Sequence, residues 1–266
     1  EVGHDAFRAG LRIYFRRHAW GNATRADFLA ALEDGAGRPL RDWSRRWLET
    51  ASLNTIEATW TARDGRLERL QLTQEGSEEH PTLRPHALEL ALVRTAGEGP
   101  AEIDVVPARL ETAEAWVAAA IGRPAPELVF PNHGDHGYAR VLLDPASLAQ
   151  VPRVLPRIAD PLLRQLLWGT LWEMVRGARY SSLQFLELIR TGLPAERDDQ
   201  IVLAGLDAAR AALVRYVPEA RRLDEARRFV AVALGSLGEL PAGDLRTLWL
   251  RAAIGAAAEP SEAATL

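Results

Sequence analysis

Near the start of the chain, Phe7, Leu11, Tyr14, Phe15 and His18 recur at three- and four-residue spacing, which places them on one face of a helix. Gly21 ends that run. "TRADFLAAL" restarts the period, with Thr24 as N-cap and Asp27 three residues later in a capping-box arrangement. Gly35 and Gly37 are expected to close this second helix. In a third, "RPLRDWSRRWLET", Pro39 is expected as an early helical residue, and Trp43 and Trp47 stand one turn apart. Residues 1–54 therefore predict a short helical bundle.

Over residues 55–145 the period drops to two. Ile56, Ala58 and Trp60 alternate with polar residues, and Asp64-Gly65 supplies a two-residue hairpin turn. "HALELALV" places Leu88, Leu90 and Leu92 on one strand face, and "EIDVVPARL" alternates Ile103 and Val105. "ELVFPN" and "GYARVLLD" add two more strand-like runs, so the stretch predicts a small β-sandwich. From residue 146 to 266 the helical period returns. Asp160-Pro161 caps "LLRQLLWGTLWEMVRG", Ser181-Ser182 opens "LQFLELIRTGLP", and three more helical segments follow before the tail "EPSEAATL", which is expected to fray. Helix pairs at a spacing of roughly thirty-odd residues predict an α-helical, HEAT-like repeat array. The expected fold is thus multidomain α and β: bundle, sandwich, helical array.

Composition narrows the chemistry. The 266 residues are 47% hydrophobic and 26% charged, a globular balance. A net charge of -4 argues against nucleic acid as partner. The absence of cysteine excludes disulfides, thiolate zinc sites, iron–sulfur clusters and cysteine nucleophiles. All the positive charge is arginine. No apolar run approaches the ~20 residues of a membrane span, and the opening "EVGHDAFRAGLRIYF" is charged and amphipathic, unlike a signal peptide. A start at Glu1, directly into a helix, suggests a piece of something longer. A cytoplasmic location is the expectation.

Two stretches carry a resemblance. The first is the turn Trp20-Gly21-Asn22-Ala23-Thr24 followed by Asp27, Phe28 and Leu32, a Gly-rich turn and the Trp-containing helix. The second is Asn132 followed by Gly137-Tyr138-Ala139-Arg140-Val141 and Asp144. Both resemble the later part of the aminopeptidase N family of zinc metallopeptidases, specifically over about residues 5–60 and 128–146 and architecturally elsewhere. The resemblance implies that residues 1–54 are the last helices of a thermolysin-like catalytic domain, 55–145 a β-sandwich domain and 146–266 a helical C-terminal domain, truncated here. It implies a parent that binds zinc and removes N-terminal residues from peptides. The family's H-E-x-x-H and Gly-x-Met-Glu-Asn motifs do not occur, and Met174, the single methionine, stands in another context. The fragment is therefore expected to be inactive and zinc-free, with no catalytic residue and no metal ligand, forming a spacer and a lid. The rival reading is a non-enzymatic helical scaffold or peptide-binding protein related to this fold.

Several local features carry residue types found in binding or metal sites. In "NHGDHGY", His133, Asp135 and His136 are zinc-ligand types, but Gly134 and Gly137 argue for a hairpin turn with solvated histidines. His80 lies in the acidic run "EGSEEHP", expected to be a solvated loop, and His86 follows at the head of "HALELALV". Trp168 and Trp172, one turn apart among leucines, predict core. Arg164, Arg176 and Arg179 are the candidates for meeting a peptide carboxylate by bidentate pairing. Phe7, Leu11 and Phe15 offer a face for a non-native dimer.

Overall fold

The computed structural model describes residues 2–257; the tail "EPSEAATL" lies outside the described residues. Helices α1 (His4–Arg17) and α2 (Arg25–Ala36) pack as a pair, and α3 (Arg41–Leu48) follows. The capping box forms as expected: Thr24 Oγ1 accepts from Asp27 N–H, and the Asp27 carboxylate accepts from Thr24 N–H. Gly37 takes the left-handed conformation that ends α2 (φ 63). Gly35, however, sits inside the helix. A Cβ there would lie 2.4 Å from Gly10 N, so the two glycines let α1 and α2 touch backbone to backbone. Pro39 precedes the Leu40 N-cap of α3 rather than entering the helix. The apolar face of α1 is only partly used: Leu11 and Tyr14 are half-buried, while Phe7 and Phe15 stay exposed.

Among the described residues seven strands follow. β1 (Thr55–Arg63) and β2 (Arg66–Glu75) form the predicted hairpin, with Asp64 (φ 51) and Gly65 (φ 73) both left-handed, as a tight two-residue turn demands. A register shift at Thr61/Ala62 lets Leu67 and Leu70 both point inward although they are three apart. β3 (His86–Arg94), β4 (Glu102–Leu110) and β6 (Leu128–Phe130) make one sheet in the order β4-β3-β6. β5 (Glu114–Trp116) and β7 (Arg140–Leu142) complete the other in the order β5-β2-β1-β7, with β7 parallel to β1. The sequence pattern missed β5, which has only three residues. It also chose the wrong face of β4: Val106 and Leu110 are buried in the sandwich, whereas Val105 is exposed.

The six later helices are α4 (Pro145–Val154), α5 (Pro161–Arg176), α6 (Ser182–Gly192), α7 (Asp199–Arg215), α8 (Glu219–Glu239) and α9 (Asp244–Ala256). Asp144, Asp160 and Asp198 cap α4, α5 and α7 through their side chains. Their apolar faces form one core, and that core includes Ala91 and Val93 of β3 and Leu128 and Phe130 of β6. The β4-β3-β6 sheet is therefore covered on both faces. Two nearly water-free ion pairs fasten the array: Arg164 with Glu196 (2.7 and 3.0 Å), and Arg190 with Glu225 (2.7 Å). No described helix is long and apolar enough to cross a membrane.

The joint between α3 and the sandwich is polar and buried. Arg84 donates to the carbonyls of Arg46, Thr50 and Ser52 and lies over the Trp47 ring, 5.1 Å from its centroid. Asn54 Oδ1 accepts from Arg84 N–H (3.0 Å) and lies 3.3 Å from His86 Nε2. His86 packs edge-on against Trp47. It is thus the buried first residue of β3, at the head of the expected strand, while His80, in the acidic run, is exposed. Burial, and then the Arg84 charge, push the His86 pKa down to about 4. Its Nδ1 is buried without a partner, so a second proton would have no acceptor.

Because the folded pKa lies below the usual 6.5, the unfolded chain takes up the proton first as pH falls. Stability is full above pH ~6.5 and declines towards pH ~4, by about 2 kcal/mol between pH 7 and 5 from this residue. Urea denaturation across that window should show this slope, and His86→Gln should flatten it. At the helix pair, Gly35→Ala should cost about 1–3 kcal/mol by overpacking, read as a lower urea midpoint at unchanged slope.

Candidate functional site

The stretch 132–138 is expected to be a hairpin turn between two strands, but β6 and β7 belong to different sheets. It is a crossover that carries the chain from one sheet of the sandwich to the other. The turn is built around Asn132, which is buried. Its Oδ1 accepts from Gly137 N–H (2.9 Å), while its Nδ2 donates to Gly137 O (2.8 Å) and to Asp135 Oδ1 (3.3 Å). Gly134 (φ 74) and Asp135 (φ 54) take the left-handed conformations that tighten the bend. A Cβ on Gly137 would lie 2.6 Å from Leu88 Cδ2, so a side chain there would have to displace that methyl.

The three zinc-type residues do not converge. His136 Nε2 turns to Glu89 on β3 (3.6 Å), Asp135 bonds Asn132, and His133 keeps its Nδ1 buried without a partner. Among the described residues no group of three His, Asp or Glu side chains surrounds a point that would suit a metal ion. His133 and His136 share the crossover but turn to different surroundings, and the other four histidines lie elsewhere, so the zinc that the resemblance implies does not fit these residues.

The crossover instead forms one wall of a cleft of about 740 Å³; the helical array forms the other. Phe130, Val141, Leu166, Trp168, Trp172 and Phe185 contribute apolar surface. Trp168 and Trp172 pack on Phe185, and Trp172 also meets Tyr216 edge-on at 5.4 Å, so they are core as expected. They are also cleft floor, which the sequence pattern did not reveal. The charged lining residues are Asp135, Arg140, Glu173 and Arg176. Glu173 accepts from Arg176 at 2.5 Å and stands 3.9 Å from Arg140.

The three candidate arginines are dispersed. Arg176 lines the cleft. Arg164 is consumed by Glu196 and by the carbonyls of Ile158 and Ala159. Arg179 acts electrostatically on Glu57 of β1, whose carboxyl is raised above its ordinary pKa by burial first and then by the Asp144 charge. Asp144 caps α4 with one oxygen and keeps the other, Oδ2, buried without a donor.

Comparison with known proteins gives a consistent picture. Residues 128–266, from the first residue of β6 onward, match the family described as ERAP1-like C-terminal domain. The chain is 32% identical to Aminopeptidase N of Streptomyces lividans over 98% of its own length and 32% of that protein's. It is 21% identical to Tricorn protease-interacting factor F2 of Thermoplasma acidophilum, over 91% of this chain and 28% of the relative. It is 30% identical to Aminopeptidase M1-B of Oryza sativa subsp. japonica, over 29% of this chain and 9% of the relative. The chain spans about a third or less of the length of these curated relatives.

The crossover depends on one side chain. Asn132→Ala leaves Gly137 N–H and C=O without their buried partners, at a cost of about 1–3 kcal/mol. Thermal denaturation should show the loss.

Proposed function

Since the chain belongs to the ERAP1-like C-terminal domain family and is a C-terminal portion of the aminopeptidase N type, we propose that it serves as the non-catalytic rear part of a zinc-dependent aminopeptidase. The observation that carries this is the 32% identity to an aminopeptidase N along 98% of the chain. In this reading the parent removes N-terminal residues from peptides, and zinc, held by residues outside this chain, supplies the activated water. Residues 1–54 close the catalytic domain, 55–145 act as spacer, and 146–266 form a HEAT-like stack that lids the active site. The cleft beside the crossover faces peptide. Peptides are thus the partners, neither nucleic acid nor membrane is engaged, and the cytoplasm is the proposed location. The exposed Phe7 and Phe15 would let the isolated chain self-associate through α1.

The isolated chain, supplied with zinc, should neither hydrolyse aminoacyl anilides nor retain stoichiometric metal after desalting. The longer protein that contains it should hydrolyse them and lose that activity to a chelator. A longer protein with no peptidase activity would leave the scaffold reading in place, and zinc-dependent turnover by the isolated chain would overturn the non-catalytic role.

A further inference from the structure

Asp144 holds a buried charge that is only half used. It is 5% exposed, and one of its oxygens caps α4 by accepting from Ala146 N–H (3.0 Å) and Ser147 N–H (3.1 Å). Its Oδ2 is buried and no protein donor reaches it. Among the described residues Asp144 is the one carboxylate with such an oxygen. A buried acceptor left unmet costs the fold the water it gave up.

The neighbour able to supply a proton is Glu57. β7 runs parallel to β1 with Leu142 beside Glu57, and Asp144 follows two residues later in extended backbone (φ -63, ψ 157). Side chains alternate along a strand, so Glu57 and Asp144 share a face, one diagonal step apart and within reach of a glutamate side chain. Burial first, and the Asp144 charge second, hold the Glu57 carboxyl above its ordinary range. Asp27, Glu127 and Glu196, the other displaced carboxyls, are all held below theirs. The carboxyl that favours its proton thus faces the carboxylate that lacks a donor.

Two further charges act on Glu57: Arg179, from the turn after α5, and Glu75 on β2. Arg140, on the same sheet edge beside Thr55, is turned to Glu173 (3.9 Å). The turn that carries Arg179 is tight. Ala178 takes left-handed backbone (φ 54), unfavourable for a residue with a side chain, and the N–H groups of Arg179 (2.8 Å) and Tyr180 (3.1 Å) both bond Met174 O.

We propose that Glu57 is a proton-operated latch between the sandwich and the helical array. With its proton it donates to Asp144 Oδ2 and ties β1 to the first turn of α4. Without it, the carboxylate is repelled by Asp144 and Glu75 and turns to Arg179 at the end of α5; the proton goes to solvent. The Asp144 bond therefore contributes fully below about pH 4.5 and is lost as pH rises through the folded midpoint, opposite in sign to His86. The latch stands independently of the function proposed above.

The test is a carboxyl-carbon NMR titration of Glu57 in the full chain, with Glu57→Gln assigning the signal. The wild-type midpoint should lie above 4.5. Asp144→Asn keeps an oxygen for the cap and turns an amide to Glu57, so it should lower the midpoint by about one unit, a tenfold loss of proton affinity. Arg179→Ala should raise it. Glu57→Gln places a permanent donor beside Asp144; its urea midpoint should exceed that of the wild type at pH 7 and match it at pH 4. His86 is common to both chains and cancels. An ordinary Glu57 midpoint, or one that Asp144→Asn leaves in place, would overturn the latch. So would a Glu57→Gln chain no more stable than the wild type at pH 7, the result if solvent serves the Asp144 oxygen. A midpoint indifferent to Arg179→Ala would overturn the change of partner.

Discussion

The architecture depends on a sheet that is apolar on both sides. Along β3, Leu88, Leu90 and Leu92 enter the sandwich core, while Ala91 and Val93 enter the core of the helical array. Such a strand has no solvent face to relax into, and a slip of one residue would exchange its two sets of contacts. β6 is built alike, with Val129 facing the sandwich and Leu128 and Phe130 facing the helices. The chain leaves β6 directly into the crossover, so the sheet that joins the two cores also sets the distance between Asn132 and α5. The cleft is the gap left between two bodies that share one wall.

Arginine does most of the polar fastening. Arg84 gathers three carbonyls where α3 meets the sandwich. Arg157 reaches the carbonyls of Gly97 and Gly99 and pins the β3–β4 loop to the turn that follows α4. Arg164 and Arg190 are each paired with a buried glutamate. A guanidinium offers five donors in a fixed plane and is more weakly hydrated than an ammonium, so it suits sites where several acceptors must be met at once with little water. A chain whose cations are all arginine can afford such joints. Among the three candidate carboxylate-binding arginines it is Arg164 that ties elements together, while Arg176 lines the cleft.

What was legible in the sequence was local. Thr24 with Asp27, and Asp64 with Gly65, act within a few residues, and both were readable from spacing alone. The general order of helices, strands and helices was also readable, because the hydrophobic period changes twice. What failed needed partners distant in the chain. The burial of His86 is decided by Trp47 and Asn54, and the role of Gly35 by Gly10 on another helix. The crossover looked like a hairpin because Asn, Gly and Asp specify a bend but not which sheet the next strand joins; with three residues each, β6 and β7 carry no pattern that says so. The cleft was the least legible feature, since it is assembled from the crossover, α5, α6 and α7, and its floor residues look like any other core.

The parallel pairing of β1 with β7, which sets Thr55 against Arg140, has a kinetic consequence. Parallel neighbours cannot be joined by a tight turn, and the whole intervening chain must be laid down before they meet. Closing so long a loop costs entropy before any contact repays it. On a growing chain the β1–β2 hairpin therefore waits with one edge unpaired, a state open to wrong strand partners. Relief comes from Arg140–Leu142, and Asp144 starts α4 two residues later. The last strand of the sandwich and the first turn of the helical array are thus synthesised almost together, so each can begin to consolidate the other as soon as it emerges.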